Sequence, residues 1–431
     1  MSKKVAIAGF GSEGLSAYRY FKAQGADITI FDEKKQPNQP VPEGAEFVWG
    51  KDCFADLRGF DVVMRFPALR PDRITTDGEM SSVIKEFFKA CPAPIIGVTG
   101  SKGKGTTSSL IHLMLNNAGK TTHIAGNIGV PALDILPDIK KDDVVVLELS
   151  SFQLWDLQQS PHVAVVLMIE PDHLDVHKDL IEYIGAKSNI VRWQTADDVT
   201  VYLPGNHLTE QIAMQGKGKK TPYTKAPGAH VEDGFIVIDE HKICAISDIA
   251  LPGKHNVDNA CAAVTAAWQF TQDADALAKA LREFKGLDHR LKLVRELNDV
   301  RFYDDSIATT PGSAIAALHA FPEPKVLILG GSDKGADFTE LAETIVESDL
   351  RAVVLIGAMR HKLHEAITAA GYKGPVEFFD EHSTMEQIVT RAAKQAKSGD
   401  VVILSPACAS FDMFKDYKDR GEQFIAAVGR L

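Results

Sequence analysis

A ten-residue segment, Gly97 to Thr106, has the composition of a phosphate-binding loop. It reads GVTGSKGKGT and follows the apolar run 93–96. Glycines let backbone N–H groups point at phosphate oxygens, and the N-terminus of a following helix adds partial positive charge. Lys104 supplies a mobile cation for the outer phosphates. The segment therefore predicts a strand, a loop and a helix over 107–117 that bind a nucleoside triphosphate, with a glycine-rich structural turn as the alternative.

The loop departs from the usual pattern at two positions. Gly97 lies one place too early, and Gly105 follows Lys104 where a serine or threonine normally holds magnesium. The first hydroxyls are those of Thr106 and Thr107, one and two places late. The departures weaken the magnesium prediction more than the phosphate prediction.

Two further segments have side chains that suit a metal ion. Glu148 lies near the end of an apolar strand, 144–149, about forty residues after the loop, where a carboxylate can reach a metal that bridges phosphates. Residues 171–177, which read PDHLDVH, place two acids and two histidines after another predicted strand. The alternatives are a strand-end acid that meets solvent and a polar turn.

A second glycine loop lies at the start of the chain. Strand 5–8 leads into G-x-G-x-x-G from Gly9 to Gly14, then a helix to Ala23, and strand 27–31 closes on Asp32. This βαβ pattern, with an acid about twenty residues downstream, predicts a dinucleotide site or a tight structural turn. Glu13 would put negative charge beside a bound pyrophosphate, so its side chain must turn away or backbone donors must outweigh it.

Alternating strands and helices predict an α/β fold of three domains throughout the chain. We predict a Rossmann-like domain over 1–91, a central P-loop domain over 92–287 and a Rossmann-like domain over 288–431. In the last of these, polar loops follow three strands at 303–306, 330–335 and 405–410. Ligands of open α/β sheets bind at the carboxyl ends of strands, so the three loops predict one composite site.

Composition excludes several classes of protein. The net charge is −11 and the charged residues make up 24% of the 431, which argues against nucleic-acid and membrane-surface binding. Five scattered cysteines without a CxxC pair predict neither zinc nor disulfides and fit a reducing cytoplasm. No apolar run is long enough to span a membrane, so we expect a cytoplasmic protein, and we expect a monomer.

Several strings together resemble those of the Mur ligases, across nearly the whole chain. They are Thr99-Gly100-x-x-Gly103-Lys104, Gly126-Asn127-Ile128-Gly129, 147–154 (LELSSFQL), Asp172-His173, Gly253-Lys254-His255-Asn256, 286–290 (GLDHR) and 404–410 (LSPACAS). The last string is most similar to that of the D-glutamate-adding members. The resemblance implies that ATP phosphorylates the carboxylate of UDP-N-acetylmuramoyl-L-alanine (the UDP-substrate), and that D-glutamate attacks the acyl phosphate.

The resemblance also implies roles for individual residues. ATP would be bound by Gly100, Ser101, Lys102, Gly103, Lys104, Gly105, Thr106, Asn259, Arg290 and Asp305. Two magnesium ions would be held by Glu148, His173, Thr106 and a carbamylated Lys187, and catalysis would depend on Lys104, Glu148, His173 and Lys187. The UDP-substrate would contact Gly11, Ser12, Asp32, Asn127 and Gln153. The incoming amino acid would contact Thr309, Lys334, Ser410 and Tyr417.

Differences from the family strings leave alternatives open. Ile307 stands where a lysine is expected, Thr310 where asparagine is, and Tyr417 where phenylalanine is. One alternative is therefore a sister ligase that adds L-glutamate or another amino acid. The first glycine loop with Asp32 leaves open an NAD-dependent oxidoreductase, and Gly105 leaves open a catalytically inactive nucleotide-binding regulator.

Overall fold

A computed structural model of the chain describes residues 2–35, 37, 39–174, 176–251, 253–332 and 336–431. The chain forms two compact units, Met1–Lys285 and Gly286–Leu431. Within the described residues, no helix combines the length and the apolar character that crossing a membrane requires.

The first unit begins with a five-stranded parallel sheet. Its strands are β1 (Lys4–Ala8), β2 (Asp27–Asp32), β3 (Glu46–Trp49), β4 (Val62–Arg65) and β5 (Glu79–Ser81), and its helices are α1 (Ser12–Ala23) and α2 (Val83–Ala90). The strand order is β3-β2-β1-β4-β5. The glycine loop after β1 therefore lies at the carboxyl end of the central strand.

A six-stranded parallel sheet follows in the same unit. Its strands are β6 (Ile95–Thr99), β7 (Thr122–Gly126), β8 (Val144–Glu148), β9 (Val163–Val166), β10 (Val199–Tyr202) and β11 (Lys219–Pro222). The order is β11-β10-β9-β6-β8-β7, and the accompanying helices are α3 (Lys104–Asn117), α4 (Ala132–Ile135), α5 (Ser151–Leu154), α6 (Leu180–Arg192) and α7 (His207–Ala213). All five residues of β6 are buried, as expected of an inner strand covered on both faces.

The first unit ends with an antiparallel sheet and two helices. The strands are β12 (His230–Glu232), β13 (Phe235–Ile238) and β14 (His241–Ala245), and the helices are α8 (Lys254–Ala267) and α9 (Ala274–Glu283). Helix α3 packs against both α8 and α9. Alanines along α8 are fully buried and allow this close approach of helices.

The second unit contains one six-stranded sheet. Its strands are β15 (Lys292–Leu297), β16 (Val300–Asp304), β17 (Lys325–Gly330), β18 (Leu350–Ile356), β19 (Val376–Phe379) and β20 (Val401–Leu404). The order is β15-β16-β20-β17-β18-β19, and only β15 is antiparallel to its neighbour. Its helices are α10 (Pro311–His319), α11 (Thr339–Glu347), α12 (Arg360–Ala369), α13 (Met385–Gln395) and α14 (Tyr417–Gly429).

The α/β fold with parallel sheets is confirmed. One apolar cluster joins the first two sheets, since Ile7 and Phe87 belong to the same core as Leu147 and Tyr183. The predicted boundary between residues 91 and 92 thus lies inside the first compact unit, and the division into three domains stays a prediction. The second unit begins at Gly286, two residues before the predicted start of the third domain at 288.

Candidate functional site

The glycine loop after β6 is closed by a lysine. Helix α3 begins at Lys104, whose Nζ donates hydrogen bonds to the carbonyls of Gly100 at 3.0 Å and Ser101 at 3.1 Å. Gly103 before it has φ +84°, a left-handed conformation that side chains disfavour. The predicted strand, loop and helix are therefore present, and the Lys104 amine lies against the carbonyls of the loop.

Asn259 lies beside this loop. Its side-chain amide occupies the space next to the Gly103 Cα, where any Cβ at that position would collide with it. Its Nδ2 also donates to Asn256 Oδ1 at 3.3 Å. The first turns of α8 thus bring Asn259, predicted to bind ATP, to the glycine loop after β6.

Lys187 reaches the same loop from α6. Only 2% of the residue is exposed, and its Nζ donates to the Gly100 carbonyl at 2.9 Å and to Thr99 Oγ1 at 3.3 Å. The amine also lies 4.9 Å from the centre of the Tyr183 ring. Lys104 and Lys187 therefore share one carbonyl acceptor.

Burial and charge act together on the Lys187 amine. Burial first, and then the neighbouring Lys104 cation, lower the pKa of Lys187 well below its usual range, while Asp172 and Glu148 oppose the shift. Burial and a neighbouring cation both favour the uncharged form of an amine, which carries a lone pair. Lys187 is thus chemically suited to react with an electrophile such as carbon dioxide.

Glu148 is the last residue of β8 and is buried. Its Oε1 accepts a hydrogen bond from Asn127 Nδ2 at 2.8 Å, and its backbone carbonyl accepts one from the Asn127 N–H at 2.9 Å. Thr106, in the first turn of α3, is half-buried. Glu148 and Asn127, predicted for different ligands, are therefore direct neighbours.

The two histidines of the segment 171–177 have different surroundings. The His173 side chain is 46% exposed, has φ +55° and lies with its ring 4.9 Å from that of Phe152. His177 is buried, stacks on Phe152 and has Nε2 3.0 Å from Ser151 Oγ. Packing therefore explains the buried position of His177, which the sequence analysis had considered as a possible metal ligand.

Asp175 of this segment lies outside the described residues. Within the described part of the chain, no group of three or more histidines, cysteines and acids is arranged to hold a metal ion. The metal sites at Glu148, His173, Thr106 and Lys187 stay predictions.

A cavity of about 300 Å³ lies between the first two sheets. Ser12, Asn127 and Gln153, all predicted to contact the UDP-substrate, line it. Gly11 directly precedes α1. Asp32 ends β2, and its carboxylate accepts hydrogen bonds from the backbone N–H groups of Phe10 at 2.8 Å and Lys34 at 2.9 Å. The structure thus brings three of the five predicted residues together and uses Asp32 to hold the adjoining loop.

Glu13 also lines this cavity and does not turn away from it. Its Oε1 accepts a hydrogen bond from Gln153 Nε2 at 2.8 Å. Burial raises the pKa of Glu13 to about 7, against the smaller effects of Gln153 and Arg65. The expected conflict with an anion is therefore reduced by a carboxyl that is partly protonated at neutral pH.

In the second unit, the loops after β16, β17 and β20 are neighbours, as the sequence predicts. Asp305 Oδ2 accepts a hydrogen bond from Ser405 Oγ at 2.7 Å. Burial raises the pKa of Asp305 to about 7, and the Arg290 cation acts in the opposite direction. The Ser332 N–H donates to the Ala409 carbonyl at 2.8 Å.

The predicted amino-acid ligands are only partly described. Ser410 is buried, and the ring of Tyr417 lies edge-on to His289 at 6.2 Å. Thr309 donates its N–H to the Ile307 carbonyl at 2.8 Å. Lys334 lies outside the described residues.

Sequence reasoning missed Arg420, the largest fully buried side chain among the described residues. Its guanidinium donates to Ser306 Oγ at 2.9 Å, the Ser306 carbonyl at 2.8 Å and the Cys408 carbonyl at 3.1 Å. Burial lowers the pKa of Arg420 to about 10. Arg420 thus ties two strand-end loops together, although nothing in its sequence context distinguishes it from a solvated helix residue.

Tyr183 and Arg65 were missed as well. The Tyr183 hydroxyl lies 2.9 Å from Ser101 Oγ, and the i, i+4 spacing of Tyr183 and Lys187 on one helix was the available signal. Arg65 is buried at the end of β4 and pairs with Asp156 at 2.8 Å.

Comparison with known proteins gives matches along the whole chain. Residues 98–267 match the Mur ligase middle domain, and residues 289–408 match the Mur ligase glutamate ligase domain. The UDP-N-acetylmuramoylalanine–D-glutamate ligase of Acetivibrio thermocellus is 41% identical over 455 aligned residues, covering 100% of this chain and 97% of the relative. The ligase of the same name from Clostridium tetani is 36% identical, with coverage of 100% and 97%.

Solved structures show the same fold at lower identity. A MurF structure from Acinetobacter baumannii has a TM-score of 0.60 and 18% identity, covering 100% of this chain and 94% of that one. The UDP-N-acetylmuramate–alanine ligase MurC from Thermotoga maritima has a TM-score of 0.59 and 15% identity, covering 99% of each chain.

Proposed function

Because this chain belongs to the Mur ligase family, we propose that it joins D-glutamate to UDP-N-acetylmuramoyl-L-alanine with hydrolysis of ATP, a step of peptidoglycan synthesis. The observation that carries the proposal is the pair of lysines at the loop after β6. Lys104 and Lys187 both donate to the Gly100 carbonyl, so two amines, one of them buried with a pKa well below its usual range, lie at one glycine loop. The names of the full-length relatives supply the substrates.

The reaction consists of two transfers. A carboxylate oxygen of the alanyl group attacks the γ-phosphorus of ATP, and ADP leaves with the electrons of the broken P–O bond. The glutamate nitrogen then attacks the acyl carbon, inorganic phosphate leaves, and the amine loses a proton to give the amide. Both steps need charge neutralisation more than covalent help from the protein.

The residues of the first unit take the nucleotide roles. Lys104 and the backbone donors of residues 100–106 hold the phosphates of ATP, and Asn259, which lies against Gly103, contacts the adenine. The Lys187 nitrogen attacks the carbon of carbon dioxide, one C–O π bond opens, the nitrogen loses a proton, and the product is a carbamate anion with two oxygens. Ser12, Asn127 and Gln153 hold the UDP-substrate in the cavity that they line, with Gly11 and Asp32 beside it.

Magnesium fits the chemistry of the donors near the loop. Glu148 and Asp172 act electrostatically on Lys187, and carboxylate and hydroxyl oxygens are the ligands that magnesium prefers. Glu148, His173, Thr106 and the Lys187 carbamate would hold two ions. The metal supplies neutralisation of the negative charge on the phosphoryl oxygens.

Residues of the second unit take amino-acid and nucleotide roles in this proposal. Arg290 and Asp305 contact the ribose and phosphates, and Thr309, Lys334, Ser410 and Tyr417 contact the glutamate. We keep the prediction of three domains, with boundaries at 91/92 and 287/288. We place the reaction of a monomeric enzyme in the cytoplasm, where ATP is available.

Phosphate release tests the proposal. Release must require ATP, UDP-N-acetylmuramoyl-L-alanine and D-glutamate together, and omission of any one must abolish it. Release with L-glutamate but not D-glutamate would indicate a sister ligase instead. Ile307, which stands where a lysine is expected, is the reason for considering that alternative. No release with any amino acid would contradict the ligase proposal and favour the inactive regulator. The matched relatives are named as ligases, so the oxidoreductase alternative is set aside.

A further inference from the structure

One carboxyl oxygen of Glu13 accepts a hydrogen bond, and the other has no hydrogen-bond partner among the described residues. Oε1 accepts a hydrogen bond from Gln153 Nε2 at 2.8 Å. Oε2 is shielded from solvent and has no hydrogen-bond partner among the described residues. A buried polar oxygen left unpaired costs free energy of folding, so its retention calls for an explanation.

Glu13 is the one titratable side chain among the described residues that line the cavity of about 300 Å³. On its other side it faces Arg65 of β4. That guanidinium is already paired with Asp156 and donates to the carbonyls of Phe66 and Leu69. Because its donors are committed, Arg65 does not provide Glu13 with a full counter-ion.

The neighbours of Glu13 in the cavity are neutral polar groups. Gln153 donates to it from α5, and Ser12 and Asn127 carry no charge. Glu13 lies in the first turn of α1, where N–H groups favour an anion. An unprotonated Glu13 would compete with a bound anion for these donors.

The UDP-substrate carries a diphosphate and a carboxylate, all ionised near neutral pH. Two like charges a few ångströms apart in a shielded site repel by several kcal/mol. The repulsion disappears when the carboxyl takes up a proton, and the same proton turns the unpaired oxygen into a donor.

We propose that binding of the UDP-substrate in this cavity is coupled to uptake of one proton by Glu13, whose Oε2 then donates a hydrogen bond to an anionic oxygen of the substrate. The proposal rests on the proposed function for the identity of the ligand. The proton comes from solvent, and no covalent bond other than O–H forms or breaks.

The direction of the pH dependence follows from linkage. The pKa of Glu13 in the free protein is about 7, and a bound anion raises it further. Affinity is therefore constant below pH about 7, where Glu13 is already protonated, and falls by up to about tenfold per pH unit above it, until the pKa of the complex is reached.

Calorimetric titration of the full chain with UDP-N-acetylmuramoyl-L-alanine tests this coupling. Measurements run from about pH 6 to 8.5, where the substrate itself does not titrate, in buffers of different ionisation enthalpy. For the wild-type protein we expect Kd to rise about tenfold between pH 7.5 and 8.5, with uptake approaching one proton per substrate bound.

Glu13→Gln keeps the shape and presents a permanent N–H donor in place of Oε2. In this variant we expect a Kd close to the low-pH wild-type value at every pH, with no proton uptake. The control Asp27→Asn removes an exposed carboxylate at the start of β2 and should keep the wild-type pH dependence.

The proposal would be overturned if Kd changed equally with pH in the wild type and in Glu13→Gln. It would also be overturned if the wild type took up no proton on binding, a result that needs no variant. Failure of the UDP-substrate to bind the wild type at any pH would instead contradict the proposed function of the cavity. Binding with no pH dependence would leave the proposed function intact and remove only the role of Glu13.

Discussion

Two glycine loops in the first unit share a backbone plan and differ in charge. Each follows the central strand of a parallel sheet and leads into a helix, β1 into α1 and β6 into α3. The first loop has Glu13 at the helix start, bonded to Gln153. The second has Lys104 there, bonded to Gly100. Helix N-termini attract anions in both cases, so we expect the side chain at the start of each helix to determine how much negative charge the loop accepts.

The two loops also differ in the charged group that is buried beside them. Near β6, two amines share one acceptor, and burial with mutual repulsion lowers the pKa of Lys187. Near β1, a single carboxyl has its pKa raised by burial to about 7. In each loop, burial shifts the pKa of the buried group in the direction that favours its uncharged form. We expect the protonated carboxyl of Glu13 to bind the UDP-substrate, and the Lys187 amine to react with carbon dioxide to give the carbamate.

The largest expected effect in this comparison is that of Lys104→Ala. Removing the cation at the second loop should lower kcat/KM for ATP by about 10³-fold, since a charge aimed at transferring phosphoryl oxygens is lost. Steady-state phosphate release measures it. Lys120→Ala, an exposed lysine just past the other end of α3, is the control and should behave as wild type. A loss of less than about tenfold would mean that Lys104 does not hold the phosphates.

Lys187→Ala should cost about 100-fold in kcat, with partial recovery when formate, acetate or propionate replaces the missing carbamate. The same carboxylates should not rescue Lys104→Ala, because that variant lacks a cation. Lys178→Ala, exposed and just before the same helix, serves as the surface control. Undiminished activity in Lys187→Ala would rule out the carbamate.

Substitution of Gly103 should have a smaller effect, and it tests the geometry of the second loop without changing its charge. Gly103 and Gly119 flank α3, and both have positive φ, +84° and +77°. An alanine at either place costs about 1–2 kcal/mol of stability from the left-handed conformation alone, measurable by urea unfolding. Only Gly103→Ala also meets Asn259, whereas Gly119 has open space around it.

We therefore expect Gly103→Ala to raise KM for ATP about tenfold and Gly119→Ala to leave it unchanged. Equal effects of the two substitutions on KM would show that the contact between Gly103 and Asn259 is unimportant for nucleotide binding.

The smallest expected effect concerns Gly105. Gly105→Ser restores a hydroxyl directly after Lys104, so the magnesium concentration for half-maximal rate should fall a few-fold, by roughly 1 kcal/mol of added metal binding. Gly105→Ala adds the carbon without the oxygen and should show no such fall. An unchanged magnesium requirement in the serine variant would indicate that Thr106 and Glu148 already satisfy the metal.

Sequence patterns predicted the inner strands and one edge strand, β19, and missed the other edge strands. The strands not anticipated are β3, β5, β7, β11, β12, β14 and β15, and each lies at the edge of its sheet. Inner parallel strands are buried on both faces and give continuous apolar runs, as in β6 and β8. Edge strands such as β3 are largely exposed, so their sequences carry no such run.

The parts of the candidate site that depend on glycine spacing and strand ends could be predicted from the sequence. The parts that depend on which side chains become buried could not. The spacing of glycines predicted both loops, and the predicted strand ends indicated Glu148 and Asp305 as site residues. The shifted pKa values of Glu13 and Lys187 and the buried position of Arg420 depend on residues distant in sequence, such as Gln153 and Gly100. The role of Lys187 came from family resemblance alone, since a helix lysine is ordinarily solvated.

We propose that the charge at each glycine loop determines its ligand, ATP at the second loop and the UDP-substrate at the first. Calorimetric titration of Lys104→Ala and Glu13→Gln with each ligand separately, at about pH 8 where Glu13 is largely ionised, tests it most directly. We predict that Lys104→Ala loses ATP affinity and keeps wild-type affinity for the UDP-substrate, and that Glu13→Gln gains affinity for the UDP-substrate and keeps it for ATP. If either substitution instead alters the binding of the other loop's ligand, the assignment is contradicted.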